Sequence, residues 1–93
     1  MKKSGSIEKK RVEFRLKAEP GREIFIAGTF NDWDPTDTKL KENRAGLYSI
    51  AFHLPVGLHE YKFVVNGIWE VDPENPEKLQ NAFGEVNSVI TVG

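Results

Sequence analysis

Cysteine is absent from the 93 residues, which excludes disulfide bridges and thiolate metal sites. No apolar run approaches the roughly 18 residues that would cross a membrane as a helix. The opening stretch MKKSGSIEKKRV has lysines but no apolar segment behind them. No secretory signal is read there, and a cytoplasmic protein is expected. Neither sign of charge dominates: 13 basic residues face 14 acidic ones, a net charge of -1. Phosphate-binding proteins usually show a basic excess, so neither nucleic acid nor a membrane is expected as the partner. The only histidines, His53 and His59, have no companion ligands at metal spacing. DWDPTDT resembles a calcium loop but lacks the glycine and closing glutamate of an EF-hand. There is no phosphate-binding glycine loop. No cofactor and no metal are expected.

What is present is an ordinary globular composition, 39% apolar and 29% charged, rather than a disordered one. A chain of this length makes one domain, and buries about 60–70% of its unfolded surface around a thin core. We read residues 10–93 as that domain and residues 1–9 as a flexible N-terminal tail.

The periodicity is that of strands. In RVEFRLKAE, Val12, Phe14, Leu16 and Ala18 alternate with charged residues, as a half-buried strand requires. EIFIAGTF is apolar on both faces and reads as a central strand. NDWDPTDTKLKENRAG is polar and turn-rich, and reads as loop. LYSIAFHL places Tyr48, Ile50, Phe52 and Leu54 on one face. LHEYKFVV turns Tyr61, Phe63 and Val65 inward, and Glu60, Lys62 and Val64 outward. Asn66-Gly67 is the strongest short hairpin signal, because a type I′ turn needs positive φ at both positions. IWEV returns from it. DPENPEKLQNAFGE reads as loop with one helical turn near Glu77 to Gln80, and VNSVITV as a closing strand. About seven short strands with no helix of normal length predict an all-β fold, an immunoglobulin-like antiparallel β-sandwich.

Both tryptophans fall outside that core. Trp33 lies in the polar loop between two aspartates. For Trp69, counting from the Asn66-Gly67 turn pairs Val65 with Ile68 and Val64 with Trp69. Opposed residues share a face, so Trp69 stands outward with Lys62 as its diagonal neighbour. Each indole has a plain alternative, covering a core edge. Two such cases in one small domain favour a binding surface instead. A pyranose has an apolar face of axial C–H groups that stacks on indole, and a rim of hydroxyls that needs donors and acceptors.

FIAGTFNDWDP, LPVGLHEYKFVVNGIWEVDPENP and FGEVNSVITV resemble the glycogen-binding domain of the AMP-activated protein kinase β subunit. They resemble equally carbohydrate-binding module family 48 and the early-set domains that precede isoamylase and branching-enzyme catalytic domains. The resemblance covers roughly Val12 to Val92 and rests on several motifs in order. It implies a β-sandwich that binds α-1,4-glucans such as glycogen, starch or maltodextrin. It also implies site residues. Trp33 and Trp69 match the stacking tryptophans, while Lys62 and Asn87 match side chains that hydrogen-bond sugar hydroxyls. Phe83 occupies an often aliphatic position that presses on the glucan, and Glu85 replaces what is often a threonine. Asn31, Asp32 and Asp34 are read as turn formers that shape the Trp33 loop.

Catalysis is not expected. Glycoside hydrolysis needs two carboxyl groups at a fixed separation in a cleft. Asp32, Asp34, Asp37, Glu70, Asp72 and Glu74 all read as solvated turn or surface residues. The alternative function is that of an early-set docking module, packing against a glycogen-metabolising enzyme or a kinase subunit with little sugar affinity.

Overall fold

The computed structural model describes residues 8–93. Among the described residues eight strands follow one another: β1 (Lys9–Lys17), β2 (Ile24–Gly28), β3 (Lys41–Arg44), β4 (Leu47–Pro55), β5 (Gly57–Val65), β6 (Ile68–Glu70), β7 (Lys78–Gln80) and β8 (Val86–Val92). They form two antiparallel sheets, an all-β sandwich. The smaller has the order β1-β4-β3, and the larger β2-β5-β8-β7, with β6 also paired to β5. No described helix is long and apolar enough to cross a membrane.

The alternating residues of β1 and β4 meet those of β2 and β5 between the sheets. Phe14, Leu16, Tyr48, Leu54, Tyr61 and Phe63 are all buried there, as period 2 requires when one face is dry. Aromatic edges fill the centre. Phe14 meets Tyr61 at 4.7 Å between ring centroids, in a T-shaped arrangement. The two core tyrosines also need partners for their hydroxyls. Tyr48 donates to the Glu19 carbonyl at 2.7 Å and accepts the Arg22 amide at 2.8 Å.

Several sequence expectations change. Lys41–Arg44, read as loop, is a strand paired to β4 with a bulge between Glu42 and Arg44. Lys78–Gln80, read as a helical turn, is a strand on β8. Both are short edge strands that bury almost nothing, so they carry no alternation; the pairing edge of the neighbouring strand makes them extended. Pro76 adds a local reason, since it biases Asn75 away from helix. β2 stands near one end of the larger sheet rather than at its centre. Its outer edge is covered by the 38–40 segment, through a bridge from Phe25 to Lys39 and a 2.8 Å bond from the Leu40 amide to the Ile24 carbonyl. The tail expected over residues 1–9 falls largely outside the described residues. Of its last two, Lys9 already belongs to β1, and the Glu8 carbonyl accepts from Val56 at 3.2 Å.

Asp72 is the sharpest change. Read as a solvated residue, it is only 8% exposed. Its Oδ2 accepts the Tyr61 hydroxyl at 2.7 Å, its Oδ1 accepts the Glu74 amide at 3.0 Å, and its own amide donates to Ser88 Oγ at 2.7 Å. The tyrosine hydroxyl reaches the far side of the core and must find an acceptor there.

Candidate functional site

The hairpin between β5 and β6 follows the count made from sequence. Asn66 and Gly67 have φ of 49° and 86°, the positive pair of a type I′ turn. Val65 pairs with Ile68, and Val64 with Trp69. Trp69 therefore stands on the outer face of the larger sheet, 43% exposed. Val64 shares that face but is 4% exposed. The outer face is not simply wet there: Val64, Phe25, Pro35 and Trp69 surround one small hollow, so the loop after β2 folds over the sheet.

That loop carries Trp33, and a set of bonds close to β2 holds it. Asn31 Oδ1 accepts the Gly28 amide at 2.9 Å, and Asn31 Nδ2 donates to the Ile26 carbonyl at 2.9 Å. The Gly28 carbonyl accepts both the Asn31 and Trp33 amides, at 3.1 and 3.0 Å. Asp34 Oδ1 accepts the Thr36 amide at 2.9 Å and the Thr36 hydroxyl at 2.8 Å. These bonds hold the Asp34 carboxyl below its ordinary pKa, the amide bond contributing most. Asn31 and Asp34 thus act as turn formers through their side chains. Asp32 does so through its backbone, with φ of 56°. Trp33 follows at φ 57°, a left-handed conformation that is uncommon for so bulky a residue and costs of order 1–3 kcal/mol. Gly28 is needed where the loop leaves β2: a Cβ there would lie 2.5 Å from the Glu60 carbonyl oxygen.

A third element is the five-residue connection from β7 to β8. The Asn81 amide donates to the Glu85 carbonyl at 2.8 Å, while Asn81 Oδ1 accepts the Phe83 and Glu85 amides at 2.9 and 3.0 Å. Asn81 Nδ2 also reaches Glu85 Oε1 at 3.2 Å. The connection is self-bonded, and Phe83 projects from it 89% exposed.

The three elements meet. Trp33, Lys62, Trp69, Phe83, Glu85 and Asn87 all line one groove of about 440 Å³ on the outer face of the larger sheet. The indoles share this groove, with an ammonium group and a carboxamide beside them. Asn81 also lines it, and sequence reasoning passed over it; its position two residues before an exposed aromatic, at the head of a Gly-containing turn, is the Asx-turn signal that could have found it. A hollow of about 520 Å³ lies elsewhere, among Phe14, Tyr61, Asp72 and Leu79. It holds none of the expected residues, and its buried Tyr61 and Asp72 bond each other.

Chemically, the groove offers flat apolar rings, donors at Lys62, and an amide and a carboxylate at Asn87 and Glu85. Of its lining residues only Glu85 carries a carboxyl group.

The family model described as the glycogen recognition site of AMP-activated protein kinase matches residues 11–93. Among similar curated proteins is 5'-AMP-activated protein kinase subunit beta-2 of Mus musculus, 36% identical over 75 residues, covering 81% of this chain and 27% of the relative. The same subunit of Homo sapiens is 36% identical over 75 residues, covering 81% and 26%. The beta-1 subunit of Sus scrofa is 35% identical over 72 residues, covering 77% and 56%. The chain thus spans about a quarter of the mouse and human relatives. Matched by the family model from Arg11 to its last residue, the chain belongs to the family of glycogen recognition sites of AMP-activated protein kinase.

Proposed function

We propose that this protein binds α-1,4-glucans without catalysing their breakdown, stacking the sugars on Trp33 and Trp69. The observation that carries the reading is the convergence of the two indoles, one from a loop and one from a strand, on a single groove that also holds Lys62 and Asn87. Stacked pyranose faces bury apolar area against the rings, and the polar groups fix orientation. Phe83, which also lines the groove, adds apolar contact, and Glu85 accepts from hydroxyls. Hydrolysis would need two carboxyl groups in place, and among the lining residues Glu85 alone carries one. Adding maltoheptaose or β-cyclodextrin should shift or quench tryptophan fluorescence. No response at millimolar sugar would sink the reading.

A second reading, docking to another protein, is favoured by a separate observation. The outer face of the smaller sheet lies on the side of the sandwich away from the groove. It carries Lys9, Arg11, Arg15 and Lys17 on β1, and Lys41 and Arg44 on β3, all exposed. Register puts them on one face: Arg15 pairs with Ser49 and Ser49 with Lys41, while Lys17 pairs with Leu47 and Leu47 with Arg44. Glu13 is the acid among them, paired with Arg15 at 3.4 Å. In a chain of net charge -1, such a face suits an acidic protein surface, with charge setting orientation and association rate. The kinase subunits to which the chain is similar make a kinase or a glycogen-metabolising enzyme the natural candidate. Changing Arg11 and Arg44 together to glutamate should weaken such a complex more than tenfold, two like-charge clashes being imposed at once, and leave the maltoheptaose response intact. Changing both tryptophans to alanine should do the reverse. Loss of the complex in the tryptophan variant would overturn this reading.

A further inference from the structure

Glu60 lies beside the groove on β5 without lining it. Register pairs it with Val89, which sets Asn87 diagonally across the same face. Asn87 is 7% exposed, and its Nδ2 donates to Glu60 Oε1 at 3.0 Å. An ionised carboxylate accepts and does not donate. The bond therefore admits the amide nitrogen and not the amide oxygen, and it sets which way the carboxamide is turned. Asn87 Oδ1 is left without a protein partner among the described residues, and no buried side-chain polar atom there goes unpartnered. Asn87 Oδ1 is thus the unpaired end of the carboxamide among the described residues, and Asn87 lines the groove.

Glu60 is itself well held. Its carbonyl accepts the Thr29 amide at 3.0 Å, and its amide donates to Thr29 Oγ1 at 3.4 Å. Thr29 begins the loop that carries Trp33, so one residue of β5 braces that loop through its backbone and Asn87 through its side chain. Lys62 follows two residues later on the same face. Among the described residues its ammonium group has no ion pair, and it lines the groove.

We infer that Glu60 is a positioning residue for this groove. By accepting from Asn87 Nδ2, it presents Asn87 Oδ1 as an acceptor beside the donors of Lys62. The pair then fits a ligand with neighbouring hydroxyls, one donating to Asn87 Oδ1 and one accepting from Lys62 Nζ, and disfavours the opposite polarity. The ligand in this inference rests on the sugar-binding reading; the orientation of the carboxamide does not.

Two measurements test it on the full chain. The first is the side-chain amide signals of Asn87 in a nitrogen-15 NMR spectrum, without sugar. Their two protons should be well separated in the native protein, one being held by the carboxylate. Glu60→Ala should return their separation to that of a free asparagine side chain, and Glu60→Gln, which keeps an acceptor oxygen, should largely preserve the native value. The second is maltoheptaose affinity. Glu60→Ala should weaken it about tenfold, the scale of one hydrogen bond, while Glu60→Gln stays within about threefold of native, since an acceptor remains. The Glu60→Ala effect should vanish in an Asn87→Ala background, because Glu60 acts only through Asn87. Unchanged Asn87 signals in Glu60→Ala, or a tenfold loss that persists without Asn87, would overturn the inference. Should the native chain fail to bind maltoheptaose, the glucan reading falls, and the amide signals still decide the role of Glu60. Chemical-shift dispersion in the same spectra reports whether each variant folds, and Glu60→Gln covers the case in which alanine does not.

Discussion

Replacing Trp69 by alanine is expected to weaken maltoheptaose binding by about 1–3 kcal/mol, roughly 5- to 150-fold, by analogy with aromatic stacking on other ring ligands. The fold should survive. Trp69 sits on a three-residue strand at the outer face and is 43% exposed, so few core contacts depend on it. Its removal uncovers Val64, and a small drop in melting temperature is expected from that. Trp33→Ala should weaken binding by a similar amount. The pair should not be additive, because both indoles act on one ligand. Trp33→Gly separates affinity from stability: glycine accepts a φ of 57° without steric penalty, so binding should fall while the melting temperature holds. Isothermal titration and thermal denaturation check both halves. Binding within twofold of native for Trp69→Ala would remove the stacking mechanism.

Asp72→Ala should cost about 2–4 kcal/mol of folding stability. The Tyr61 hydroxyl donates to Asp72 Oδ2 at 2.7 Å and receives Asn75 Nδ2 at 3.0 Å. Asn75 is a donor there and cannot take over the phenolic proton. Removing the carboxylate strands that proton in the interior, which costs about 1–3 kcal/mol, and it also releases the Glu74 amide that Asp72 Oδ1 holds. Tyr61→Phe discards the proton itself, so the double variant should lose less than the sum of the two. Urea unfolding monitored by tryptophan fluorescence measures all three variants. A loss under about 0.5 kcal/mol for Asp72→Ala would show that water replaces the carboxylate.

The same cluster sets an alkaline limit. Burial pushes the Tyr61 phenol well above its ordinary range, and the neighbouring Asp72 carboxylate adds to the effect. A folded pKa raised above the unfolded value of about 10 means that the neutral phenol favours folding. That contribution is whole below pH 10, and is lost as pH rises from there through the folded value.

Much of the frame was legible because local signals and burial agreed. β1 and β4 showed period 2 since each faces the core with one side and water with the other. Asn66-Gly67 fixed the count across the hairpin, and from that count came the outward stance of Trp69. The resemblance brought Trp33, Lys62, Phe83, Glu85 and Asn87 to attention, and they meet in one groove. Other features left little trace. Lys41–Arg44 and Lys78–Gln80 look like loop or helix because edge strands bury little and take their shape from the neighbour they pair with. Asp72 looks like any aspartate before a proline, and only the reach of Tyr61 across the core reveals why it is dry. Val64 alternates outward as read, but a loop distant in sequence covers it.

The order of residues by itself determined the class of fold, the turn that aims Trp69 and the kinds of side chain available for a ligand, because alternation and turn chemistry act over a few neighbours. Folding in three dimensions decided the rest. It chose which polar segments became edge strands, which carboxylate was buried beside a tyrosine, and how Glu60 turns the carboxamide of Asn87. The buried carboxylate and the turned carboxamide depend on partners 11 and 27 residues away, and the edge strands take their shape from the pairing edge of a neighbour rather than from a pattern of their own.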